Sequence, residues 1–315
     1  MKKIVLMFPG QGSQTVGMGK DFYAKFPASK NIIDGLDDEL KKVIFEGPEE
    51  SLKDTKNAQP AIFAVSVAMF EALKSSIDLN NFEIVTAGHS LGEYSALYAA
   101  GYFNFVDGLN IVKARGSFIA EASASNPGAM AAIIGMAKEG VFDICKQASS
   151  EGVCEPVNFN SPGQIVISGT TAAIKKAVEL AKPAGALKAV MLNVSGPFHS
   201  SLMKSASEKM KTELEKYNFT DPKYSILTNC DAEFTKDKSL IKEKSVKQIC
   251  SPVLWDVSMK NAINNGFDTF IEIGPGRVLS GLMRRIDKTK KTVNIENIES
   301  LENTVEQLKT AMYNV

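Results

Sequence analysis

A serine between two glycines is the first group in this chain that could do chemistry. The letters G-H-S-L-G occupy positions 88–92, after the apolar run 84–87 and before a helix-like segment, 93–100. A Gly-x-Ser-x-Gly turn between a strand and a helix is typical of a nucleophile elbow, which exposes the serine hydroxyl and leaves no room for flanking β-carbons. Ser90 is therefore the predicted nucleophile. Because Ser90 and Glu93 also fit a capping box, simple helix capping is the alternative.

Two histidines are candidates for the general base that a serine hydroxyl needs at neutral pH. His89 lies within the turn, where its side chain should diverge from that of Ser90, and we interpret it as a core histidine. His199 lies in the segment 195–200, between a predicted strand and a predicted helix, a placement typical of functional groups. His199 is thus the predicted base, and a buried structural histidine is the alternative.

The sequence alone does not identify the group that would orient this base. Serine before histidine is the chain order of α/β-hydrolases, which place an acid between the two. Several Asp and Glu residues intervene, but none stands in a distinguishing motif. A backbone carbonyl could equally orient the imidazole.

An arginine interrupts the apolar face of the helix predicted over 106–122. Positions 108, 112, 115, 119 and 122 share that face, and all except Arg115 are Gly, Val, Ile or Ala. A buried arginine must meet an anion, because an unpaired buried charge costs several kcal/mol. Either a protein carboxylate or a substrate carboxylate matches the guanidinium fork.

Length and charge limit the class of protein. At 315 residues the chain exceeds the ~250 to 300 at which single cores stop growing, so we expect a large domain and a smaller one. Basic and acidic residues balance at 36 each, so nucleic acid is not an expected partner. The apolar run 4–8 is too short for a signal peptide, and no apolar stretch reaches the ~18 residues of a membrane helix. Residues 61–70 are expected to form a core helix opened by Pro60.

The cysteines do not have the spacing of a metal site or a redox pair. They stand at positions 145, 154, 230 and 250, away from the histidines. We therefore expect no metal and interpret the cysteines as buried small hydrophobes. Scattered single cysteines without a secretion signal favour a cytoplasmic location.

A glycine-rich loop, F-P-G-Q-G-S-Q at 8–14, follows the first predicted strand. It fits neither nucleotide template, since Thr15 stands where a dinucleotide fingerprint needs glycine or alanine and Met18 stands where a P-loop needs lysine. Its exposed amides lie at the carboxyl end of a strand, the side on which open α/β sheets bind ligands. A simple turn is the alternative.

The segment 124–196 is predicted to form a separate ferredoxin-like unit. Its pattern is β-α-β-β-α-β, with strands over 128–136, 153–158, 164–168 and 187–194 and helices over 138–149 and 171–181. Such an inserted unit would form one wall of a cleft over Ser90. Residues 1–123 and 197–315 would make the α/β, hydrolase-like catalytic core.

Strands alternating with helices predict a mostly parallel sheet, covered on both faces, in that core. Beyond residue 196 we expect helices over 200–217 and 253–264, strands over 224–228 and 269–273, and a basic helix through Arg285.

Together these segments resemble the malonyl-CoA:acyl-carrier-protein transacylase family over essentially the whole chain. The blocks that carry the resemblance are F-P-G-Q-G-S-Q at 8–14, Q-P-A at 59–61, G-H-S-L-G-E-Y-S-A at 88–96, R-G at 115–116, P-V-N-F-N-S-P-G-Q at 156–164, P-F-H-S at 197–200 and G-P-G at 274–276. So many ordered blocks make the resemblance highly specific.

The resemblance implies a role for each candidate residue. It implies a Ser90 and His199 dyad that forms a malonyl-serine intermediate, with Arg115 holding the malonyl carboxylate. It further implies that the backbone carbonyl of Gln248 orients the base. The backbone amides of Gln11 and Leu91 would bind the oxyanion, and Phe198 would favour malonyl over methylmalonyl.

The resemblance also implies the substrates and partners. Malonyl-CoA would donate the malonyl group and the phosphopantetheine thiol of an acyl carrier protein would accept it, with no cofactor, and we expect a monomer. Because carrier proteins are acidic, a basic docking patch is expected, and the densest positive run comprises Arg284, Arg285, Lys288, Lys290 and Lys291. A solvated helix end favoured by the macrodipole is the alternative for that run.

Three alternative functions remain open at this point. A serine thioesterase would use Ser90 and His199 but pass the acyl group to water. A non-catalytic scaffold would bind acyl groups without chemistry. A trans-acting acyltransferase of polyketide synthesis would do the same reaction for another pathway, although a free-standing chain makes fatty-acid synthesis the more economical expectation.

Overall fold

The structure, a computed structural model, describes residues 1–313. Its strands are β1 Lys2–Phe8, β2 Phe82–Gly88, β3 Gly128–Ile134, β4 Cys154–Ser161, β5 Gln164–Thr170, β6 Lys188–Met191, β7 Ser225–Leu227, β8 Phe234–Thr235, β9 Thr269–Ile273 and β10 Lys291–Ile295. They form two separate sheets, one of six strands and one of four.

The α-helices are α1 Lys20–Lys25, α2 Pro27–Asp34, α3 Asp38–Glu46, α4 Glu49–Lys53, α5 Thr55–Ser76, α6 Gly92–Ala100, α7 Phe105–Ser125, α8 Lys138–Ala148, α9 Thr171–Ala181, α10 Lys204–Glu215, α11 Lys238–Gln248, α12 Trp255–Asn264, α13 Val278–Ile286 and α14 Ile298–Tyr313. Within residues 1–313, no helix combines the length and the apolarity needed to cross a bilayer.

The six-stranded sheet has the order β10-β9-β1-β2-β7-β8 and is parallel except for β8, which pairs antiparallel with β7. The central strand β1 is a continuous apolar run because helices cover both faces of the sheet. Its residues Ile4, Leu6 and Phe8 belong to one apolar cluster, and Val5 and Met7 belong to another. The predicted mostly parallel α/β core is confirmed.

The four-stranded sheet is antiparallel, with the order β4-β5-β3-β6. Helices α8 and α9 pack on one face, where Ala131 and Ile133 join their cluster. Met130, Ala132 and Val166 form an apolar cluster on the other face. This is the predicted ferredoxin-like β-α-β-β-α-β unit, while the boundaries at 123/124 and 196/197 stay predictions.

Strand β4 of the smaller sheet is joined by main-chain bonds to the core. Phe159 N donates to Val253 O at 2.9 Å, and Val253 N donates to Val157 O at 2.7 Å. Helix α12 consequently begins at Trp255 rather than at 253 as expected, because Val253 is held in an extended bridge.

Several other expected boundaries were wrong. Helix α5 begins at Thr55, capped by the Asp54 carboxylate, so Pro60 lies inside the helix instead of opening it. Strand β6 ends at Met191, and a 3₁₀ turn over Ser201–Met203 precedes α10. The cysteines are only partly as expected, since Cys145 and Cys154 are buried but positions 230 and 250 are half-buried.

Candidate active site

The turn between β2 and α6 holds Ser90 at a positive φ of 51°. A β-carbon at Gly88 would lie 1.9 Å from the Gly92 carbonyl oxygen, and one at Gly92 would lie 2.0 Å from that of Phe8. The predicted steric need for both glycines is confirmed. The capping-box alternative is wrong, because Leu91 is the N-cap and the Glu93 carboxyl oxygen Oε2 accepts from Asn229 N instead.

The Ser90 hydroxyl meets the His199 imidazole. Oγ of Ser90 lies 2.7 Å from Nε2 of His199, and Nδ1 of His199 lies 2.9 Å from the main-chain oxygen of Gln248. A carbonyl can only accept, so Nδ1 carries the proton and Nε2 is left to accept from the serine. The group that orients His199, which chain order alone did not identify, is therefore a backbone carbonyl.

His199 is electrically neutral in this environment. Burial first, and then the cationic Arg115, lowers the pKa of His199 to about 3. His199 is 6% exposed and adopts a positive φ of 63°. A neutral imidazole bonded to a hydroxyl can take up the proton as that oxygen attacks.

His89 points away from the serine, as expected. Its Nε2 lies 2.8 Å from Oδ1 of Asn160 on β4, and its ring tilts against Trp255 with centroids 5.7 Å apart. Burial lowers the pKa of His89. His89 therefore links the turn of the core to the smaller sheet.

Arg115 reaches the same point from α7. Its Nη2 lies 3.3 Å from Ser90 Oγ and 2.9 Å from Gln248 Oε1, and its Nη1 lies 2.7 Å from Gln59 Oε1. Arg115 is 2% exposed, and within residues 1–313 it forms no salt bridge with a carboxylate. The interpretation of Arg115 as half of a structural ion pair is wrong.

Gln11 and Leu91, the residues whose main-chain amides were predicted to bind the oxyanion, lie on two different elements. Gln11 lies in the loop after β1, where its Nε2 donates to Thr55 Oγ1 at 3.1 Å, and Leu91 precedes the first turn of α6. Both residues line the same cleft as Ser90. Amides at a loop and a helix N-terminus, where the dipole is positive, can bind a developing anion.

The cleft has a volume of about 800 Å³. Met130 and Val166 of the smaller sheet, with Leu192 just after β6, line one side, as the insertion of that unit predicted. Half-buried Phe198 packs against the same apolar cluster and also lines the cleft. In the described residues, no group of three or more His, Cys, Asp and Glu side chains could hold a metal ion.

The basic run does not form one helix end. Arg284 and Arg285 are in the last turn of α13, Lys288 and Lys290 lie in the following turn, and Lys291 opens β10. Leu279 and Leu282 of α13 line the cleft, as does Gln164, the partner of Arg285, so Arg285 stands near the cleft rim with exposed Arg284 beside it. Nη1 of Arg285 lies 2.6 Å from Gln164 Oε1 of β5.

Sequence reasoning missed the amides that support the turn. Oδ1 of Asn229 accepts from Ser90 N at 2.8 Å, and its Nδ2 donates to Gly88 O at 2.7 Å. Nε2 of Gln248 donates to Ser90 O at 2.8 Å. The sequence signal that could have identified Asn229 was its position just after β7, since the carboxyl end of β7 lies beside that of β2.

Comparison with known proteins gives this site a context. The acyl transferase domain family model matches residues 5–310. A malonyl CoA-acyl carrier protein transacylase of Bacillus subtilis is 45% identical over 98% of both chains. An acyl-carrier-protein-S-malonyltransferase structure from Bartonella henselae is 40% identical over 98% of this chain and 99% of that one, with a TM-score of 0.94. A malonyl-transacylase solved with its type II PKS acyl-carrier protein is 36% identical over 97% of this chain and 100% of that one, with a TM-score of 0.91.

Proposed function

This chain belongs to the acyl transferase domain family, and from that membership we propose that it moves malonyl groups from malonyl-CoA to the phosphopantetheine thiol of an acyl carrier protein. The observation that carries the proposal is the meeting of Ser90, His199 and Arg115 in one cleft. The first two make a nucleophile with its base. The third is a buried cation beside them that has amide partners and no protein carboxylate within the described residues.

The first half-reaction loads the enzyme. Nε2 of His199 takes the Ser90 proton as Oγ attacks the thioester carbon of malonyl-CoA. The tetrahedral intermediate collapses by breaking the carbon–sulfur bond, and the proton passes from His199 to the departing coenzyme A sulfur. A malonyl ester on Ser90 remains.

The second half-reaction unloads it through the same base. His199 accepts the proton of the phosphopantetheine thiol, whose sulfur attacks the malonyl ester. The carbon–oxygen bond breaks, and the proton returns to Ser90 Oγ. The two half-reactions share one site, so the kinetics are ping-pong.

We assign the oxyanion to the backbone amides of Gln11 and Leu91, since such donors are each worth roughly 2.7 to 4 kcal/mol in the transition state. Arg115 holds the malonyl carboxylate through charge-assisted bonds of about 1.5 to 3 kcal/mol each. The main-chain oxygen of Gln248 keeps His199 in the reactive tautomer, and Phe198 narrows the acyl end of the cleft against a branched methylmalonyl group.

The proposal extends to pathway and partners. The carrier protein would be that of fatty-acid synthesis. The enzyme would act as a cytoplasmic monomer and would need no cofactor. A carrier protein of polyketide synthesis is the second candidate, because a relative has been solved with one. Transfer rates to purified carrier proteins of both kinds distinguish the two pathways.

Loading without a carrier protein tests the central claim. Incubation with malonyl-CoA should give a long-lived malonyl adduct, found by intact mass and mapped to Ser90, while Ser90→Ala gives none. Rapid release of free malonate would favour a thioesterase. A wild-type protein that forms no adduct and releases no malonate would favour a non-catalytic scaffold.

A further inference from the structure

Arg115 is surrounded by uncharged groups. Gln59 and Gln248 present amide oxygens to its two terminal nitrogens, at 2.7 and 2.9 Å. The Ser90 hydroxyl is 3.3 Å from Nη2, and the face of the Tyr94 ring lies 5.3 Å from Cζ. None of these four neighbours balances the charge of the guanidinium.

Glu93, the neighbour of Tyr94 on α6, does not balance this charge either. Glu93 is buried, and its Oε2 accepts from Asn229 N at 2.6 Å. Burial raises the pKa of Glu93 to about 8, so this side chain is mostly protonated at neutral pH. The described residues therefore leave the positive charge of Arg115 uncompensated.

A protein built only for stability would place a carboxylate here, because a buried unpaired cation costs several kcal/mol. Glutamate at position 59 would have the shape of glutamine and would accept the same bond from Nη1 of Arg115. Since Nη2 also lies beside the Ser90 oxygen, the missing anion can be supplied by an acyl group attached to that oxygen.

We propose that Gln59 is a specificity-determining residue, which meets Arg115 with a neutral oxygen and so reserves the cation for an acyl group that carries its own carboxylate. The inference rests on the proposed function and deepens it. It makes the selection of diacid over monoacid thioesters depend on the charge of a residue that need not touch the substrate.

Of the two glutamines that contact Arg115, Gln59 is the one that can be replaced without disturbing the base and the turn. Gln248 also donates to Ser90 O and accepts from His199 Nδ1 through its carbonyl, so a change there would disturb the base and the turn. Gln59 lies on α5 and is 2% exposed, and its side chain accepts its hydrogen bond from Arg115.

Gln59→Glu isolates charge from shape. We expect the ratio of kcat/KM for malonyl-CoA to that for acetyl-CoA to fall about 100-fold, because the new carboxylate competes with the malonyl carboxylate for the guanidinium. Gln59→Met, which removes the acceptor without adding charge, should keep the preference for malonyl. The rate at which each thioester forms its adduct on Ser90 gives the kcat/KM for malonyl-CoA and for acetyl-CoA without a carrier protein.

The outcomes separate this inference from the proposed function. A ratio in Gln59→Glu that stays within about threefold of wild type would overturn the inference while wild-type loading upholds the function. If Gln59→Glu does not fold, Gln59→Met decides, since a loss of malonyl preference there would show that orientation and not charge sets selection. Failure of the wild type to load malonyl would instead remove the proposed function.

Discussion

Ser90 and His199, whose Oγ and Nε2 atoms lie 2.7 Å apart, are both held at positive backbone φ, 51° and 63°. Such conformations cost a non-glycine residue of order 1–3 kcal/mol each and persist only where the surroundings hold them. The surroundings here are the bonds of Asn229 and Gln248 to the turn at Ser90 and the carbonyl of Gln248 on His199. The reactive pair is therefore set in place before substrate arrives.

Arg115→Ala should separate malonyl from acetyl transfer. We expect malonyl loading to fall at least about 100-fold, since two charge-assisted bonds are lost, while acetyl loading is retained or rises. Arg115→Lys keeps the charge but not the fork and should fall between the two. Rapid-quench loading of Ser90 with each thioester measures the effect, and an equal loss of both activities would contradict a carboxylate clamp.

The acid limb of the loading reaction should lie well below pH 6.5. Burial and Arg115 lower the pKa of His199 to about 3, so the base stays unprotonated as the pH falls through the usual histidine range. We expect kcat/KM for malonyl loading to stay flat from about pH 5 to 7.5. In Arg115→Ala the inflection should move to higher pH, because removal of the cation favours the imidazolium. An inflection near 6.5 in the wild type would be inconsistent with this assignment.

Glu93→Gln should change how stability depends on pH. The pKa of Glu93 is raised by burial from 4.5 to about 8, so the folded state holds a proton that the unfolded state releases. The stabilisation from that proton is complete below pH 4.5 and is lost as the pH rises toward 8. Relative to wild type, the variant should gain roughly 2 to 4 kcal/mol of unfolding free energy between pH 5 and 8. Chemical denaturation at both pH values measures this, with Glu208→Gln on α10 as an exposed control.

Gly88→Ala should unfold the turn rather than merely slow the enzyme. Its β-carbon would lie 1.9 Å from a backbone oxygen, so main chain must move at a cost above about 4 kcal/mol. Gly281→Ala on α13 meets nothing within 4 Å and should instead add up to about 1 kcal/mol through helix propensity. Thermal unfolding of both variants tests the contrast, and similar stabilities would show that the steric argument fails.

Charge reversal at the rim should affect only the protein acceptor. Arg284→Glu is expected to slow malonyl transfer to carrier protein about tenfold, with a loss that shrinks as salt rises. Transfer from the malonylated enzyme to free pantetheine, which has the thiol without the protein, should not change. Lys176→Glu serves as the matched control, because α9 packs on the face of the smaller sheet that points away from the cleft. Equal slowing for both acceptors would assign Arg284 to the cleft and not to docking.

Local patterns were enough to predict the elements that carry the reaction. The apolar run of β1, the glycines around Ser90 and the β-α-β-β-α-β order each depend on neighbours close in sequence. Helices α1 to α4 were not predicted, because they are short and pack through scattered contacts. Strands β8 and β10, and helices α11 and α14, were missed as well.

Local patterns could not predict the side-chain contacts that support the site, because these contacts join residues far apart in sequence; the role of the Gln248 carbonyl came only from the family resemblance. Gln59 meets Arg115 from 56 residues away, and Gln248 meets Ser90 O from 158 residues away. A glutamine or asparagine carries no periodic signal, so only the folded arrangement shows which ones face the reactive groups. The strained φ of His199 is likewise a tertiary effect.

The main-chain bridge between Val253 and β4 has a consequence for turnover. It ties the smaller sheet to the segment that follows Gln248, so widening the cleft would break backbone hydrogen bonds next to the group that orients the base. We therefore expect an aperture of constant width, through which long thioester arms thread in and out. The rate of the full cycle would then be limited by the exchange of coenzyme A and carrier protein at the entrance of the cleft, and not by a closing motion of the protein.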